Sequence, residues 1–460
     1  MRPDLTPATA PATTAATTAA AAAITREHAQ ALDAADTLAP MRQQFHIPDG
    51  LVYLDGNSLG VLPRSTAARL QQVIQQEWGQ GLIGSWNSAG WMALPQRIGD
   101  KIGTLVGAGP GQVVVADSTS VNLYKVLSAA LAMQRDAAPG GTAGRTVIVS
   151  ERSNFPTDLY IAQSLGRQFG AALRLVDSPA QIPAALDDSC AVLLLTQVNY
   201  RTGHLHDMAA LSAAAHAAGA LVVWDLAHSA GALPVALTDD GADFAVGCGY
   251  KYLNGGPGAP AFAWVRPAHV ARAWQPLAGW MGHAAPFAFD PGYQPAAGMA
   301  RYLCGTPPVL AMAALDCGVD TLLAAQPLGG MAALRAKSLA LTRLFIDAVR
   351  QQAGGHGLHF VSPDADAQRG SQVCLGFAPG SVGDRAGAAY PVVQALIARS
   401  VVGDFRAGDA ASGGADILRF GVTPLYTRFV DVWAAVAQLR VVLATEEWRQ
   451  PRFNRRGGVT

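Results

Sequence analysis

Lysine is almost missing from this 460-residue chain: Lys101, Lys125, Lys251 and Lys337 are the only ones, and arginine supplies nearly all the positive charge. A lysine kept in such a chain invites a chemical reason. Charge of either sign is sparse, at 14% of residues, with 33 basic side chains balancing 33 acidic ones. No basic face interleaved with aromatics emerges, which argues against a nucleic-acid partner. Cysteine is limited to Cys190, Cys248, Cys304, Cys317 and Cys374, an odd and widely spaced set without a CxxC or His-rich ligand pattern. That argues against a disulfide framework, offers no metal site, and predicts reduced thiols in a cytoplasmic protein. Long hydrophobic runs are wanting as well: Gly, Pro or a charge interrupts each, so no membrane span is expected.

What is there is material for a large core. Half of the residues are hydrophobic, a compact, enzyme-like composition, and the length suggests about two or three domains. Residues 1–24 are an Ala/Thr/Pro low-complexity stretch without the Leu-rich core of a secretory signal, and Asp4 sits where such a signal is basic. Disorder is expected there.

From Ser65 the apolar positions Leu70, Val73, Ile74 and Trp78 recur at helical spacing, with Ser65 or Thr66 as N-cap. An alternation follows: strands over 112–116, 146–150, 173–176, 191–196, 221–225 and, closing the series, 244–247, with helices over 121–133, 159–169 and 208–218 between them. Continuous apolar strands separated by helices imply a mostly parallel sheet covered on both faces. Beyond about residue 310 the pattern turns to long helices (308–325 and 330–351), shorter strands near 373–377, 401–405 and 417–422, and a last helix over 429–446. The chain therefore reads as α/β: a segment 25–70 packing with the smaller domain, a large domain 71–310, and a smaller C-terminal α+β domain 311–460.

Ligands of such sheets gather at the carboxyl ends of the strands. The run Leu221-Val222-Val223-Trp224 ends in Asp225, and the next strand leads to Tyr250-Lys251 before the loop Asn254-Gly255-Gly256-Pro257-Gly258. Taken singly, such an aspartate caps the next helix and such a lysine is solvated surface. Together they are what a pyridoxal phosphate enzyme needs: a lysine to bond the cofactor's aldehyde and a carboxylate to hold the proton on its pyridine nitrogen. The segment Asp117-Ser118-Thr119-Ser120, between a strand and a helix, offers backbone N–H groups and hydroxyls for a phosphate. In Asn154-Phe155-Pro156-Thr157-Asp158 an aromatic is available to stack on the ring and a carboxylate to orient it. His228 lies three residues past Asp225, and Tyr250 supplies a phenol beside the lysine.

The segments Asp55-Gly56-Asn57-Ser58-Leu59-Gly60, Ser120-Val121-Asn122-Leu123, Asn154-Phe155-Pro156-Thr157-Asp158, Asp225-Leu226-Ala227-His228-Ser229, Tyr250-Lys251-Tyr252-Leu253-Asn254-Gly255-Gly256 and Gly279-Trp280-Met281-Gly282-His283 occur in an order that resembles the kynureninase family, over about residues 40–450. The resemblance implies a pyridoxal-phosphate-dependent, transferase-like fold (fold type I) and a homodimer with its active site at the subunit interface. It implies hydrolysis of L-kynurenine, or its 3-hydroxy form, to anthranilate or 3-hydroxyanthranilate and L-alanine, a step of tryptophan degradation and NAD biosynthesis. By the same resemblance Thr119 and Ser120 bind phosphate, Phe155 stacks on the ring, and Asp158 and Thr196 support the cofactor. Asp225, His228 and Tyr250 surround it, Lys251 bears it, and Trp280 and Thr306 reach the phosphate across the interface. Catalysis falls to Lys251, Tyr250 and Asp225. Arg419 clamps the substrate α-carboxylate, a task that suits a bidentate guanidinium, while Ser58, Trp86 and His283 meet the aryl end.

Two rivals remain. A cysteine desulfurase or selenocysteine lyase of the same fold needs an exposed, activated thiolate, and of the five cysteines only Cys304 falls near the proposed site. A non-catalytic pyridoxal phosphate-binding protein would have no use for Lys251, Asp225, Tyr250 and Arg419 together.

Overall fold

Seven apolar runs pair into one twisted sheet in the computed structural model, which describes residues 23–137, 144–378, 387–408 and 414–457. The Ala/Thr-rich start, apart from residues 23 and 24, lies outside the described residues. After a two-residue strand β1 (Val52–Tyr53) come β2 (Val113–Ala116), β3 (Val147–Glu151), β4 (Ala172–Val176), β5 (Cys190–Thr196), β6 (Leu221–Asp225), β7 (Phe244–Gly247) and β8 (Ala261–Val265). Their order across the sheet is β2-β8-β7-β6-β5-β3-β4. Pairing is parallel from β7 through β4, and β8 alone runs against its neighbours.

Alternation sends successive side chains to opposite faces. Val113, Val115, Leu193 and Leu195 enter one core, together with the helices Leu94–Val106 and Val309–Leu323. Val114, Val192, Leu194 and Val223 enter the other, against the helix Thr119–Asp136. Because both faces are covered, the strands read as unbroken apolar runs rather than as an alternation.

A second sheet, order β12-β13-β10-β9, is antiparallel throughout and comprises β9 (Leu358–Phe360), β10 (Gln372–Phe377), β12 (Asp404–Arg406) and β13 (Ile417–Gly421), while β11 (Val401–Val402) pairs with β1. The long helices Gly330–Ala353 and Phe429–Thr445 pack on it, and their shared core also takes Ala29 and Leu54 from the N-terminal segment.

Several expectations change. The sheet does not close at β7: Ala-Phe-Ala-Trp-Val adds β8 as an antiparallel strand inserted beside β2, every residue of it buried. The strand expected over 401–405 is two strands, since Gly403, where a Cβ would stand 2.7 Å from the Phe420 ring, lets the chain pass from β1 to β13. The helix expected from Ser65 starts at Arg64, after an earlier one over Arg26–Ala34, with Pro63 at the cap position and no side-chain cap, and its end widens into a π-helical stretch over Val73–Trp78. Ile74 and Trp78 are thereby exposed rather than buried. The stretch Val309–Leu328 does reach the length and hydropathy of a membrane span. It is a core helix here, with Asp316 bonded to Arg97 and Lys101 and with Met312, Leu315 and Val319 buried.

Candidate active site

The carboxyl ends of the parallel strands form one rim. Register places Thr196 of β5 opposite Asp225 of β6. β3 leads to Asn154 and Phe155, and β2 leads to Ser118, which caps the helix Thr119–Asp136 by accepting from Val121 N. Lys251 is not at a strand end as expected, for β7 stops at Gly247 and the lysine stands in the connection to β8. Gly255 N donates to Gly249 O (2.9 Å), curling that connection back over the rim. The turn around Asn57 and Ser58 closes on it: Gly60 N donates to Tyr250 O at 2.8 Å, and a Cβ on Gly60 would stand 2.4 Å from Lys251 O.

Thr119, Ser120, Phe155, Asp158, Thr196, Asp225, His228, Tyr250 and Lys251 line one cavity of about 120 Å³. Thr306 lines an adjoining space of about 490 Å³, to which Thr119 and Tyr250 also belong. Ser58 and Arg419 meet in a second cluster. Arg419 donates from Nε to Asp404 Oδ1 (3.0 Å), from Nη2 to Ser58 Oγ (2.9 Å) and from Nη1 to Tyr200 O (2.8 Å). Trp86, Trp280 and His283 are not brought to Lys251 within this chain. Trp86 packs edge-on against Trp91 and Trp280, Trp280 against Phe287, and His283 against Tyr293. Ser58 therefore parts company with the other two residues expected at the aryl end.

Burial governs the charges. The Asp225 carboxyl is raised above the ordinary aspartate range by desolvation, against the pull of the Lys251 charge and of Ala227 N, which donates to Oδ1 at 2.7 Å. Asp158 is raised further, first by burial and then by the Asp225 charge beside it. Burial and the neighbouring Lys251 drive His228 well below its ordinary value. Its ring is neutral accordingly: Nε2 lies 3.0 Å from Lys251 Nζ, and Nδ1 lies 3.2 Å from Gln372 Oε1. Tyr250 is pushed up, chiefly by burial and then by Cys248 and Asp225, so its phenol stays protonated.

Burial raises both carboxyls because little positive charge faces them. A protonated pyridine nitrogen against Asp225 would offset that cost, the hydroxyls and helix start at Ser118–Ser120 suit a phosphate, Phe155 offers a ring face, and Lys251 Nζ lies 5.9 Å from that ring. Pyridoxal phosphate fits the residues present.

Tyr200, Gln372, Asp404 and Arg406 went unseen in the sequence. Tyr200 meets Phe155 edge-on at 5.3 Å, and Gln372 Nε2 donates to Tyr200 O at 3.0 Å, so the two clusters are joined. A polar residue opening the apolar run 372–377 was the available signal for Gln372, and Asp404-x-Arg406 on one strand face was that for the charged pair.

The chain matches the aminotransferase class-V family over residues 52–386 and the kynureninase C-terminal domain over 334–439. It is 54% identical over 438 residues to a kynureninase of Burkholderia pseudomallei (strain K96243) and 52% identical over 438 residues to one of Pseudomonas fluorescens; each alignment covers 95% of this chain and 100% of the relative. Among solved structures, a cysteine desulfurase from Thermococcus onnurineus NA1 superposes with a TM-score of 0.71 at 17% identity, covering 88% of this chain and 98% of that one. A cysteine desulfurase from Escherichia coli gives 0.71 at 21%, covering 89% and 99%. These distant likenesses carry the fold alone. The cysteines agree with that limit: Cys190, Cys248, Cys317 and Cys374 are buried, with thiols raised by desolvation, and Cys304 is half-buried. With both family matches and full-length relatives above half identity on one side and only a shared fold on the other, the chain belongs to the kynureninase family of pyridoxal-phosphate-dependent enzymes.

Proposed function

We propose that this chain hydrolyses L-kynurenine to anthranilate and L-alanine. The observation that carries the reading is the convergence of Lys251, Asp225 and neutral His228 on one cavity, joined through Gln372 and Tyr200 to a buried arginine at Arg419, in a chain of this family. Thr119 and Ser120 hold the cofactor phosphate, Phe155 covers the ring, Asp225 keeps the proton on the pyridine nitrogen, and Asp158 and Thr196 hold Asp225 in place. Bound pyridoxal phosphate supplies an electron sink for the bonds that change in the amino-acid half of the substrate.

The remaining work belongs to side chains. Arg419, held by Asp404 and Ser58, lines the place of the α-carboxylate, whose position sets the direction of the Cβ–Cγ bond. Lys251 takes the proton from the substrate Cα; the neutral imidazole of His228 accepts a hydrogen bond from its amine and adds no competing positive charge. Tyr250, kept protonated by its burial, delivers a proton to Cβ of the departing alanine unit. Water is consumed across the Cβ–Cγ bond, its oxygen leaving in the carboxylate of anthranilate.

Trp86, Trp280 and His283 stand apart from Lys251 of their own chain, and Trp78, Ile83, Phe287 and Phe289 are large exposed apolar side chains. This supports a homodimer in which Trp280 and His283 serve the partner's site. The shared core of Ala29 and Leu54 with the C-terminal sheet ties part of the segment 25–70 to a smaller C-terminal unit, whereas Leu38, Met41, Phe45 and the helix Val309–Leu323 pack in the core of the large sheet, so the smaller unit begins after that helix rather than at 311. A cytoplasmic setting and a place in tryptophan breakdown belong to the same reading.

Purified protein given L-kynurenine is expected to release anthranilate, read by its fluorescence, and borohydride should fix the cofactor to a peptide containing Lys251. Fixation at Lys101, Lys125 or Lys337 sinks the assignment of the lysine. Absence of anthranilate from a cofactor-loaded sample favours the binding-protein reading. Parallel kinetics with 3-hydroxy-L-kynurenine rank the two substrates.

A further inference from the structure

Arg419 has little left to offer a ligand. It is 1% exposed, and its Nε, Nη1 and Nη2 groups are engaged by both oxygens of Asp404, by Tyr200 O and by Ser58 Oγ. A guanidinium has five N–H donors, and one of those on Nη1 is all that these bonds leave. Asp404 is as deeply buried as Arg419, and Ser58 Oγ donates to its Oδ2 at 2.8 Å. Asp404 and Arg419 together are neutral. A substrate carboxylate added to that pair leaves one negative charge without a partner in a desolvated place, an arrangement proteins avoid.

The missing cation is on the same strand as Asp404. Residues two apart on a strand share a face, and Arg406 follows Asp404 on β12, which pairs with β13 so that Asp404 stands opposite Arg419. Arg406 Nη2 donates to Asp404 Oδ2 at 2.6 Å and to Ser58 Oγ at 3.3 Å. Among the described residues its Nε and Nη1 have no hydrogen-bond partner, and its side chain is 38% exposed against 1% for Arg419. With Arg406 counted, the cluster carries open donors and, while the neighbouring Asp55 keeps the proton that burial and Asp404 hold on it up to about 7, one positive charge. That charge also reaches the catalytic cavity, where it acts on the Tyr250 phenol and, behind burial, Lys251 and Arg419, on the His228 ring.

We propose that Arg406 is a substrate-binding residue: the α-carboxylate is received between Arg406, which contributes the open donors and the net charge, and Arg419, which is a wall fixed by Asp404. The proposal rests on the kynurenine-hydrolase reading for the identity of the carboxylate.

The test compares ligands with and without a carboxylate on the cofactor-loaded enzyme. Arg406→Gln should lower kcat/KM for L-kynurenine about tenfold or more, the size of one lost charge-assisted hydrogen bond, with the loss falling mainly on KM. Arg406→Lys should recover part of it. The decarboxylated amine of kynurenine, used as an inhibitor, should bind the wild-type and Arg406→Gln enzymes within about twofold of each other. A structural role for Arg406 would weaken both ligands alike, and that result overturns the proposal, as does an unchanged KM. L-Alanine binding, followed by the cofactor's absorbance, is a second arm. If wild-type enzyme releases no anthranilate, the function is misread, yet weaker L-alanine binding in Arg406→Gln still supports the carboxylate role and equal binding still defeats it.

Discussion

His228 shows how the site fixes the state of a side chain without any charge of its own. Gln372 gives its amide N–H groups to Tyr200 O and Asn199 O, which turns its Oε1 toward His228 Nδ1. The ring must then donate from Nδ1 and accept at Nε2, where Lys251 Nζ stands. Asp225, Lys251 and His228 were legible because each ends or follows an apolar strand in a recognisable string. Gln372 and Arg406 were not, because they stand 144 positions from His228 and 348 from Ser58, their respective partners, and no local pattern records such pairs. Tyr250 carries the first residue-scale prediction. Removing only its hydroxyl in Tyr250→Phe should lower kcat by roughly 10²-fold or more, within the range for a positioned general acid, and anthranilate should emerge ahead of alanine in rapid-quench measurements. A change in cofactor affinity alone, with kcat intact at saturation, would leave Tyr250 as an anchor. Asp55 carries the second. Burial, then the Asp404 charge, raises its carboxyl to about 7, whereas the unfolded chain releases that proton near pH 3.9. Between roughly pH 4 and pH 7 the unfolded state therefore loses its proton first, so Asp55 contributes stability that is complete below about pH 4 and is lost as pH rises through 7. Asp55→Asn should remove that slope, gaining on the order of 2–4 kcal/mol on the wild type between pH 4 and pH 8 in denaturant titrations.

The elements behave as their periodicity foretells where both faces of the sheet are covered, and less well at the margins. β8 was missed because five apolar residues directly after a glycine- and proline-rich loop are followed only by the four-residue helix Pro267–Val270, too short to mark them as part of the alternation. The end of β2 gives a sharper case. Asp117 adopts a left-handed backbone, φ +45°, between the strand and the helix that starts at Thr119. That conformation is costly for a residue with a Cβ. Lys125, entirely buried, holds it: Nζ bonds Asp117 Oδ2 at 2.5 Å and Tyr302 O at 2.6 Å. Lys125 thus has a structural task, tying the turn proposed to bind phosphate to the segment that leads into Thr306. Lys125→Met keeps the length and removes the charge, leaving Asp117 and a buried carbonyl without their partner. Because Asp117 is about a third exposed, the expected loss is about 1–3 kcal/mol, below the range for a fully buried pair, read as a lowered unfolding midpoint. Cofactor affinity should fall with it, and an unchanged midpoint would show that the turn stands without the clamp.

At the scale of the whole molecule, the single chain accounts for the cofactor cavity and the arginine cluster but not for the aryl end of the substrate. The ordered set of motifs made the fold and the chemistry readable from sequence; that Trp280 and Thr306 reach across an interface came from the family resemblance alone, since neither strand pattern nor spacing distinguishes a contact within a subunit from one across an interface. Trp280 and His283 packing with Trp86, Phe287 and Tyr293, apart from their own Lys251, makes the question testable by complementation. In a symmetric dimer each site takes Lys251 from one subunit and, on the proposed arrangement, Trp280 from the other. Lys251→Ala and Trp280→Ala homodimers are each expected to be nearly inactive. When the two are mixed and allowed to exchange subunits, each heterodimer holds one site carrying both substitutions and one carrying neither. With half of the dimers mixed, activity should rise to about a quarter of the wild-type value. Were Trp280 to serve the Lys251 of its own chain, every site in the mixture would keep one defect and no activity would return, so the recovery itself decides between the two arrangements.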